Sequence, residues 1–144
     1  MSLMTAIDVS SSGLTAQRRR LEVLVSNLVN ANTTQPAGAE PYRRKDVIFT
    51  AVAPDLSFGT AFDDTMTSVR GVEIGQVFTD RSEPVKRYEP GHPNADKDGY
   101  VLYPNINPME EMVNVLSATR SYEANIQAAN AAKEMATKAL DILR

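Results

Sequence analysis

The sequence contains no cysteine and no tryptophan, and its single histidine is His92. The absence of cysteine excludes disulfides and thiol chemistry and fits any cellular compartment. His92 lies in the stretch Glu89-Pro90-Gly91-His92-Pro93, whose prolines and glycine are typical of a turn. We therefore expect neither a catalytic triad nor a zinc site, and hence no enzyme activity, no cofactor and no small-molecule substrate.

Long apolar runs are also missing. No stretch approaches 18 consecutive apolar residues, so we expect no membrane-spanning segment. The N-terminus lacks a basic region followed by an apolar run, so we expect no cleaved secretory signal. The net charge of −3 is too small to indicate nucleic acid or a membrane surface as partner. The basic run Arg18-Arg19-Arg20 has no interleaved aromatic residues, and it is best interpreted as a solvated helix face.

The charges are unevenly distributed along the chain. Residues 1–45 carry a net charge of +3, residues 46–107 carry −5 and residues 108–144 carry −1. Basic ends around an acidic middle favour contact between the end of one copy and the middle of another.

The last third of the chain has the clearest pattern. Asn107-Pro108 is a helix start signal, because Asn107 can accept from the first free amides and Pro108 sacrifices no hydrogen bond. Mostly apolar residues, with Lys133 the one charged exception, then recur at alternating spacings of three and four, which predicts a coiled-coil-like helix about 55 Å long. We call this set the C-terminal seam: Met112, Val115, Thr119, Tyr122, Ile126, Ala129, Lys133, Ala136, Leu140 and Leu143.

A stripe of small residues runs beside the C-terminal seam. Its small side chains would allow another backbone to approach closely. Both faces could serve one intramolecular core, or one of them could contact a further neighbour; periodicity alone does not distinguish these alternatives. The small-residue stripe consists of Ala118, Ser121, Asn125, Ala128, Ala132, Met135 and Ala139.

The first thirty residues carry a similar pattern, with Leu24 widening its apolar face. Ser10-Ser11-Ser12-Gly13 are poor helix formers, so we expect a kink or a break there. Residues 30–34 should end the helix, since asparagine tolerates the left-handed conformation. The N-terminal seam consists of Met4, Ile7, Ser11, Leu14, Arg18, Leu21, Val25 and Leu28.

The middle of the chain reads as a small β unit. Strands are predicted over 42–52, 69–79, 85–88 and 99–103, with Tyr42, Val47, Phe49 and Ala51 on one face of the first strand. Residues 53–68 are predicted to form a mobile loop. The predicted fold class is therefore α+β: long terminal helices that pair as a coiled-coil-like layer, and a small β-rich middle section. Three segments follow, 1–34, 35–106 and 107–144, with the helical arms loose in an isolated monomer.

One stretch partly matches the pattern of a calcium-binding loop. Asn94, Asp96, Asp98 and Gly99 match the first half of a calcium-binding loop. The twelfth position is Asn105 instead of the required bidentate glutamate, and the flanks read as loop and strand. A turn rich in aspartate and glycine explains the pattern better, although a calcium-binding module stays an alternative.

Several runs of residues in order resemble the bacterial flagellar rod and hook protein family. The runs are LTAQRRRLEV (14–23), SNLVNANT (26–33), PYRRK (41–45), YEPGHPNAD (88–96) with GYV (99–101), YPNIN (103–107), EMV (111–113) and ATRSYEAN (118–125). The short middle section and the Tyr-Glu-Pro-Gly turn favour the proximal rod members over the longer distal-rod and hook proteins. Residues 53–68 carry no recognisable motif.

The resemblance implies a structural subunit of the flagellar basal-body rod, the shaft that crosses the periplasm and transmits torque. It implies export through the flagellar type III apparatus without a cleaved signal peptide. Its partners would be copies of itself and other rod proteins, proximal and distal. The terminal helices would form an inner layer of packed contacts, and the β-rich middle would face outward.

On this interpretation the two seams form the assembly interface, and the end of the first helix holds the turn into the middle section. Tyr122 and Asn125 would be polar members that fix the register between neighbours. The expected interface comprises Met4, Ile7, Leu14, Leu21, Leu24, Val25, Leu28, Met112, Val115, Leu116, Thr119, Tyr122, Asn125, Ile126, Ala129, Ala136, Leu140 and Leu143. The helix-end motif comprises Asn27, Asn30, Asn32 and Thr33. The alternative function is a soluble helical adaptor or export chaperone of an axial protein.

Overall fold

A computed structural model describes residues 3–36, 38–52 and 71–142 of the chain. The order of elements is helix, four strands, helix, which confirms the predicted α+β class. The predicted loop over 53–68 and the seam residue Leu143 lie outside the described residues. The elements are α1 (Leu3–Asn30), β1 (Lys45–Val52), β2 (Gly71–Thr79), β3 (Val85–Tyr88), β4 (Tyr100–Tyr103) and α2 (Pro108–Ile142).

The strands form two sheets of two strands each, β1 with β2 and β3 with β4. β3 and β4 are antiparallel, and Val85 pairs with Tyr103 while Tyr88 pairs with Tyr100. The chain enters β4 through Gly99, whose φ of +80° favours glycine. The Tyr88 and Tyr100 rings then meet edge to face, with centroids 5.4 Å apart.

The prediction for the first strand was wrong in two respects. β1 begins at Lys45, not at residue 42, and its residues from Ile48 to Val52 are all exposed with no alternation. The expected apolar face of the strand is therefore not buried. Alternation appears only where another layer covers one face of a strand, and none of the described elements covers either face of that stretch.

Of the kink or break predicted for the serine-rich stretch, the break is wrong, since α1 is continuous from Leu3 to Asn30. Two serine hydroxyls bond back to the preceding turn: Ser10 Oγ donates to the Ala6 carbonyl at 2.8 Å and Ser12 Oγ to the Val9 carbonyl at 2.7 Å. These bonds satisfy hydroxyl groups that would otherwise compete for backbone partners. The local helix is thereby compatible with serine.

The first helix ends at Asn30, as predicted, but the hydrogen bonds at its end differ from those expected. Asn30 Nδ2 donates to the Ser26 carbonyl at 2.8 Å, and the Thr33 amide donates to the Asn30 carbonyl at 3.1 Å. Among the described residues, only glycines have positive φ, so the expected left-handed asparagine is absent there. Side-chain and turn hydrogen bonds occupy the last carbonyls instead.

The second helix begins at the predicted start signal. The Met109 amide donates to Asn107 Oδ1 at 3.1 Å, and the Glu111 amide donates to the Asn107 carbonyl at 3.1 Å. Glu110 and Glu111 lie in the first turn, where a negative charge interacts favourably with the helix dipole. Neither helix in the described part is long and apolar enough to span a membrane.

The chain divides into two compact units, each of which takes part of both helices. The first unit contains Met1–Arg19, Ile48–Gln76 and Ala118–Arg144, and the second contains Arg20–Val47 and Val77–Ser117. Among the described residues, the buried apolar ones are mostly small, so each removes little apolar area from water. They are Ala16, Leu24, Ala31, Val101, Ala118 and Ala132.

Candidate functional site

A buried polar junction lies in the second unit, centred on Asn27, which is 0% exposed. Asn27 Nδ2 donates to the Lys45 carbonyl at 2.7 Å, and the Lys45 amide donates to Asn27 Oδ1 at 3.0 Å. The Tyr42 hydroxyl also donates to Asn27 Oδ1, at 3.0 Å. The amide side chain thus acts as a backbone partner for the chain entering β1 and fixes it to the end of α1.

Glu111 supplies the charged half of this polar junction and is 1% exposed. Its Oε1 accepts from Arg44 Nε at 2.7 Å, and its Oε2 accepts from Asn27 Nδ2 at 3.2 Å. Arg44 also reaches Asp46 Oδ2 at 3.3 Å. A carboxylate in this position requires such partners, because burial of an unpaired charge is costly.

The charge of Arg44 is reinforced by its surroundings. Burial alone lowers the pKa of Arg44, but hydrogen bonding and attraction to Glu111, followed by Asp46, raise it above its ordinary value. Arg44 therefore stays charged at physiological pH. The role of the Arg44–Glu111 pair is mechanical: it holds the first turn of α2 to the residue that precedes β1.

The covered line of α2 differs from both predicted stripes. It takes alternate members from the C-terminal seam and the small-residue stripe, so it lies between them on the helix surface. Its spacing alternates four and three, as in a coiled-coil seam. The buried and half-buried positions that form it are Glu111, Val115, Ala118, Tyr122, Asn125, Ala129, Ala132 and Ala136.

The remaining large members of the predicted C-terminal interface are exposed. Leu116 is 61% exposed and Leu140 67%, and Met112 and Ile126 are exposed as well. Thr119 is half-buried. Met109 and Val113 extend the exposed apolar surface over the first two turns of α2. The described residues leave that apolar surface uncovered.

The N-terminal seam divides in the same way. Ile7, Leu14, Leu21 and Leu28 are half-buried, whereas Met4, Ser11, Arg18 and Val25 are exposed. Leu24, which was expected only to widen the apolar face, is the buried leucine of the helix, at 2% exposure. The structure therefore covers one edge of the predicted seam and leaves the other edge open.

Gly13 and Asn125 meet in the first unit. A Cβ placed on Gly13 would lie 3.0 Å from Asn125 Nδ2, closer than ordinary van der Waals contact. The side chain of Asn125 therefore occupies the space that the absent Cβ leaves on α1. This contact brings a predicted register residue of α2 against the middle of α1.

The helix-end motif separates into different environments. Asn27 is buried in the polar junction and Asn30 closes the last turn, while Asn32 and Thr33 are exposed. The sequence did not predict the pairing of Glu111 with Arg44, because the two residues are 67 positions apart and Glu111 was interpreted as part of the run EMV. Tyr42 was predicted as a residue on one face of the first strand, and Arg44 only as part of the run PYRRK, so neither was predicted to contact Asn27 or Glu111. Nothing in one sequence indicates which glutamate of Glu110-Glu111 is buried.

The calcium-like loop forms a turn held by hydrogen bonds between the Asp96 side chain and backbone amides of the same loop. Asp96 Oδ1 accepts from the amides of Asp98 and Tyr100, at 2.9 and 2.8 Å. The Gly99 amide donates to the Asp96 carbonyl at 3.1 Å. One carboxylate oxygen is thus engaged within the turn, as in an Asx-turn. Within the described residues, no three His, Asp or Glu side chains are grouped to hold a metal ion.

Comparison with known proteins gives two family matches and several full-length relatives. Residues 7–36 match the family described as "Flagella basal body rod protein", and residues 97–142 match "Flagellar basal body rod FlgEFG protein C-terminal". The flagellar basal-body rod protein FlgC of Bacillus subtilis is 40% identical over 148 residues, covering 99% of each chain. FlgC of Borreliella burgdorferi is 39% identical over 154 residues, covering 100% of this chain and 99% of the relative. FlgC of Escherichia coli O6:H1 is 39% identical over 143 residues, covering 99% and 98%.

Proposed function

The chain belongs to the FlgC family of flagellar basal-body rod proteins and is a structural subunit of the rod, and we propose that it assembles through the uncovered faces of α1 and α2. On this proposal the two helices of one copy pair along their covered edges in a coiled-coil-like layer. Their open edges then bind the helices of neighbouring rod subunits. The segments 1–34 and 107–144 form the inner layer, and 35–106 forms the middle section.

The observation that carries the proposal is the exposure of large apolar side chains on both helices. Met4 is 69% exposed and Met109 70%, and Leu116 and Leu140 exceed 60%. On α2, Met109, Val113 and Leu116 follow one another at spacings of four and three, and exposed apolar surface of this kind is characteristic of interaction sites. Helical symmetry would repeat each such contact along a rod, so many modest contacts could transmit torque without an active site.

Two contacts support pairing of the helices within one copy. In the second unit, Asn27 of α1 donates to Glu111 of α2 at 3.2 Å. In the first unit, Gly13 of α1 lies against Asn125 of α2. Both residues on α2 belong to its covered line. A polar residue in such a line favours one register over its alternatives, which is the role we propose for Asn125.

The finer assignments follow from family membership and are also proposals. The partners are further copies of this chain and the other proximal and distal rod proteins. The subunit reaches the rod through the flagellar type III export apparatus, and the rod crosses the periplasm. We propose no enzymatic activity, since the one buried carboxylate described in the polar junction is neutralised by Arg44. The comparisons do not favour the adaptor or export-chaperone alternative.

The test replaces Val113 and Leu116 together by glutamine in cells that have no other copy of the protein. Because both side chains are exposed, the free energy of unfolding of the isolated chain should change by less than about 0.5 kcal/mol. Swimming and recovery of complete rods should nevertheless be lost. The matched control replaces the same Val113 and Leu116 by isoleucine and methionine, which keep the surface apolar, and should swim normally. Normal swimming of the Val113/Leu116 variant would contradict the proposal.

A further inference from the structure

The second unit contains an arginine-lined cavity that the helix contacts do not use. It is a shallow cavity of about 430 Å³ that is open to solvent; its lining includes Arg43, Thr79 and Arg81, and the last two are exposed. The Asp80 amide donates to the Arg44 carbonyl at 2.8 Å, so the residues just before β1 and just after β2 run side by side. This bond brings the neighbours of those two residues, Arg43 and Arg81, to the same place.

Successive side chains along each of the two extended segments point to opposite sides, so the residues that line the cavity differ from those that form the polar junction. Thr79 and Arg81 are two residues apart in extended chain and share a side, whereas Asp80 lies between them. Asp80 Oδ1 accepts from the Ser82 amide at 2.9 Å and from Ser82 Oγ at 2.7 Å. Arg44 is engaged by Glu111 at 2.7 Å. Arg43 and Arg81 therefore line the cavity while the charges next to them in sequence are bound elsewhere.

The positive charge of the cavity is only partly balanced in the described residues. Arg43 has Glu40 at 3.4 Å, but that carboxylate side chain is 80% exposed, and such surface pairs contribute little. The ion pairs described for the chain do not include Arg81. Two guanidinium groups around one cavity repel each other unless an anion lies between them. A guanidinium fork beside a hydroxyl donor suits a carboxylate.

We propose that this arginine cavity receives a carboxylate side chain from the acidic middle section of a second copy of this chain. The charges argue for that occupant, because two arginines line the cavity while residues 46–107 carry a net charge of −5. The inference rests on the proposed function, since it needs neighbouring copies in a rod. It adds to the helix contacts a charged contact that would set the orientation of adjacent middle sections.

The first experiment tests the need for the two arginines. The variant Arg43→Gln/Arg81→Gln, as the cell's only copy, should give at least about tenfold fewer complete rods, as expected for loss of a desolvated charge contact. The matched control Lys97→Gln/Lys138→Gln removes the same charge at exposed positions and should assemble normally. Arg43→Lys/Arg81→Lys keeps the charge and should restore most assembly. Equal assembly of the glutamine variant and its control would overturn the inference.

The second experiment identifies the occupant. In basal bodies isolated from the Arg43→Lys/Arg81→Lys cells, a water-soluble carbodiimide should join position 43 or 81 to a carboxylate. Mass spectrometry of the dimer band should find the acidic residue within 46–107 of the same chain. Linkage only to a different protein, or no linkage, would overturn the second-copy occupant. Binding of inorganic phosphate by the purified chain without any linkage would also overturn it and would identify a free anion instead.

The two proposals can fail separately. Normal assembly of the Val113/Leu116 variant together with loss of rods in the Arg43→Gln/Arg81→Gln variant would contradict the helix-face proposal and leave the cavity inference standing. The reverse result would contradict the cavity inference alone. If the glutamine variant unfolds in isolation, as judged by circular dichroism, the carbodiimide linkage in the lysine variant decides.

Discussion

Arg44 Nε donates to Glu111 Oε1 at 2.7 Å although the two residues are 67 positions apart in the chain. The bond joins the residue before β1 to the first turn of α2, and Asn27 adds the end of α1 to the same carboxylate. Three segments that are distant in sequence thus meet at one buried charge. The polar junction is where helical arms and middle section are held together in the second unit.

The first prediction concerns that charge. Glu111→Gln should lower the free energy of unfolding by about 2 kcal/mol, because a buried charge-assisted hydrogen bond is weakened and Asn27 faces a second amide. Urea unfolding followed by circular dichroism measures the change. Glu110→Gln, next in sequence but exposed, is the control and should cost less than about 0.5 kcal/mol. Equal effects of the two substitutions would mean that the junction does not stabilise the fold.

The second prediction concerns Asn27. Asn27→Asp removes the donor to the Lys45 carbonyl and places a second carboxylate beside Glu111, so it should cost at least about 2 kcal/mol at neutral pH. The new carboxylate is more stable protonated there, so its pKa should be raised and the loss of stability should shrink in acid. Asn32→Asp, at an exposed position of the helix-end motif, is the control. An equal cost at neutral and acid pH would contradict the prediction.

The third prediction concerns the contact between Gly13 and Asn125. Alanine is favoured over glycine inside a helix by about 1 kcal/mol, but here its Cβ would meet Asn125 Nδ2 at 3.0 Å. Gly13→Ala should therefore stabilise the chain more in an Asn125→Ala background than in the natural sequence. A double-mutant cycle of urea unfolding should give a coupling of about 1 kcal/mol. A coupling near zero would show that the two residues do not restrain each other.

The fourth prediction concerns the tyrosine at the end of β4. A hydrogen bond from the Tyr103 hydroxyl to Glu89 Oε2 at 2.9 Å, helped by partial removal from water and by the Glu89 charge, raises the pKa of Tyr103 above its ordinary 10.0. A raised folded-state pKa means that this contribution to stability is complete below the ordinary value and is lost as pH rises through the folded value. Glu89→Gln should return the pKa of Tyr103 toward 10.0.

The measurement for Tyr103 is an NMR titration of labelled tyrosine rings. Glu83→Gln, which removes an exposed carboxylate before β3, is the control and should leave the Tyr103 titration unchanged. If Glu89→Gln and Glu83→Gln titrate alike, the hydrogen bond does not persist in solution.

The sequence was sufficient for the elements because their signals are local. The cap at Asn107, the end at Asn30 and the two long periodic stretches all depend on neighbours within a few residues. The prediction of a break at the serine-rich stretch was wrong because it used local helix propensity alone. The serine hydroxyls donate to carbonyls of the preceding turn, and the helix continues. The face of β1 was mispredicted because burial depends on what covers a strand.

The covered line of α2 shows that periodicity alone does not predict which face of a helix is buried. Seam prediction selected large side chains such as Met112 and Ile126, yet the covered line takes Ala118 and Ala132 instead. The helical period shows which residues share a face of the helix. It does not show which face is buried, because two neighbouring stripes of residues repeat with the same spacing. The pairing of Arg44 with Glu111 has no periodic signature, so it became visible only in three dimensions.

The central claim, that neighbouring subunits cover the helix faces which one copy leaves open, is tested most directly by accessibility at Leu116. The chain has no cysteine, so Leu116→Cys introduces a single thiol at a side chain that is 61% exposed in one copy. A maleimide should label it quickly in the isolated chain and far more slowly in intact rods, whereas Lys97→Cys should differ little between the two. Equally fast labelling of Leu116→Cys in rods and in the isolated chain would contradict the claim.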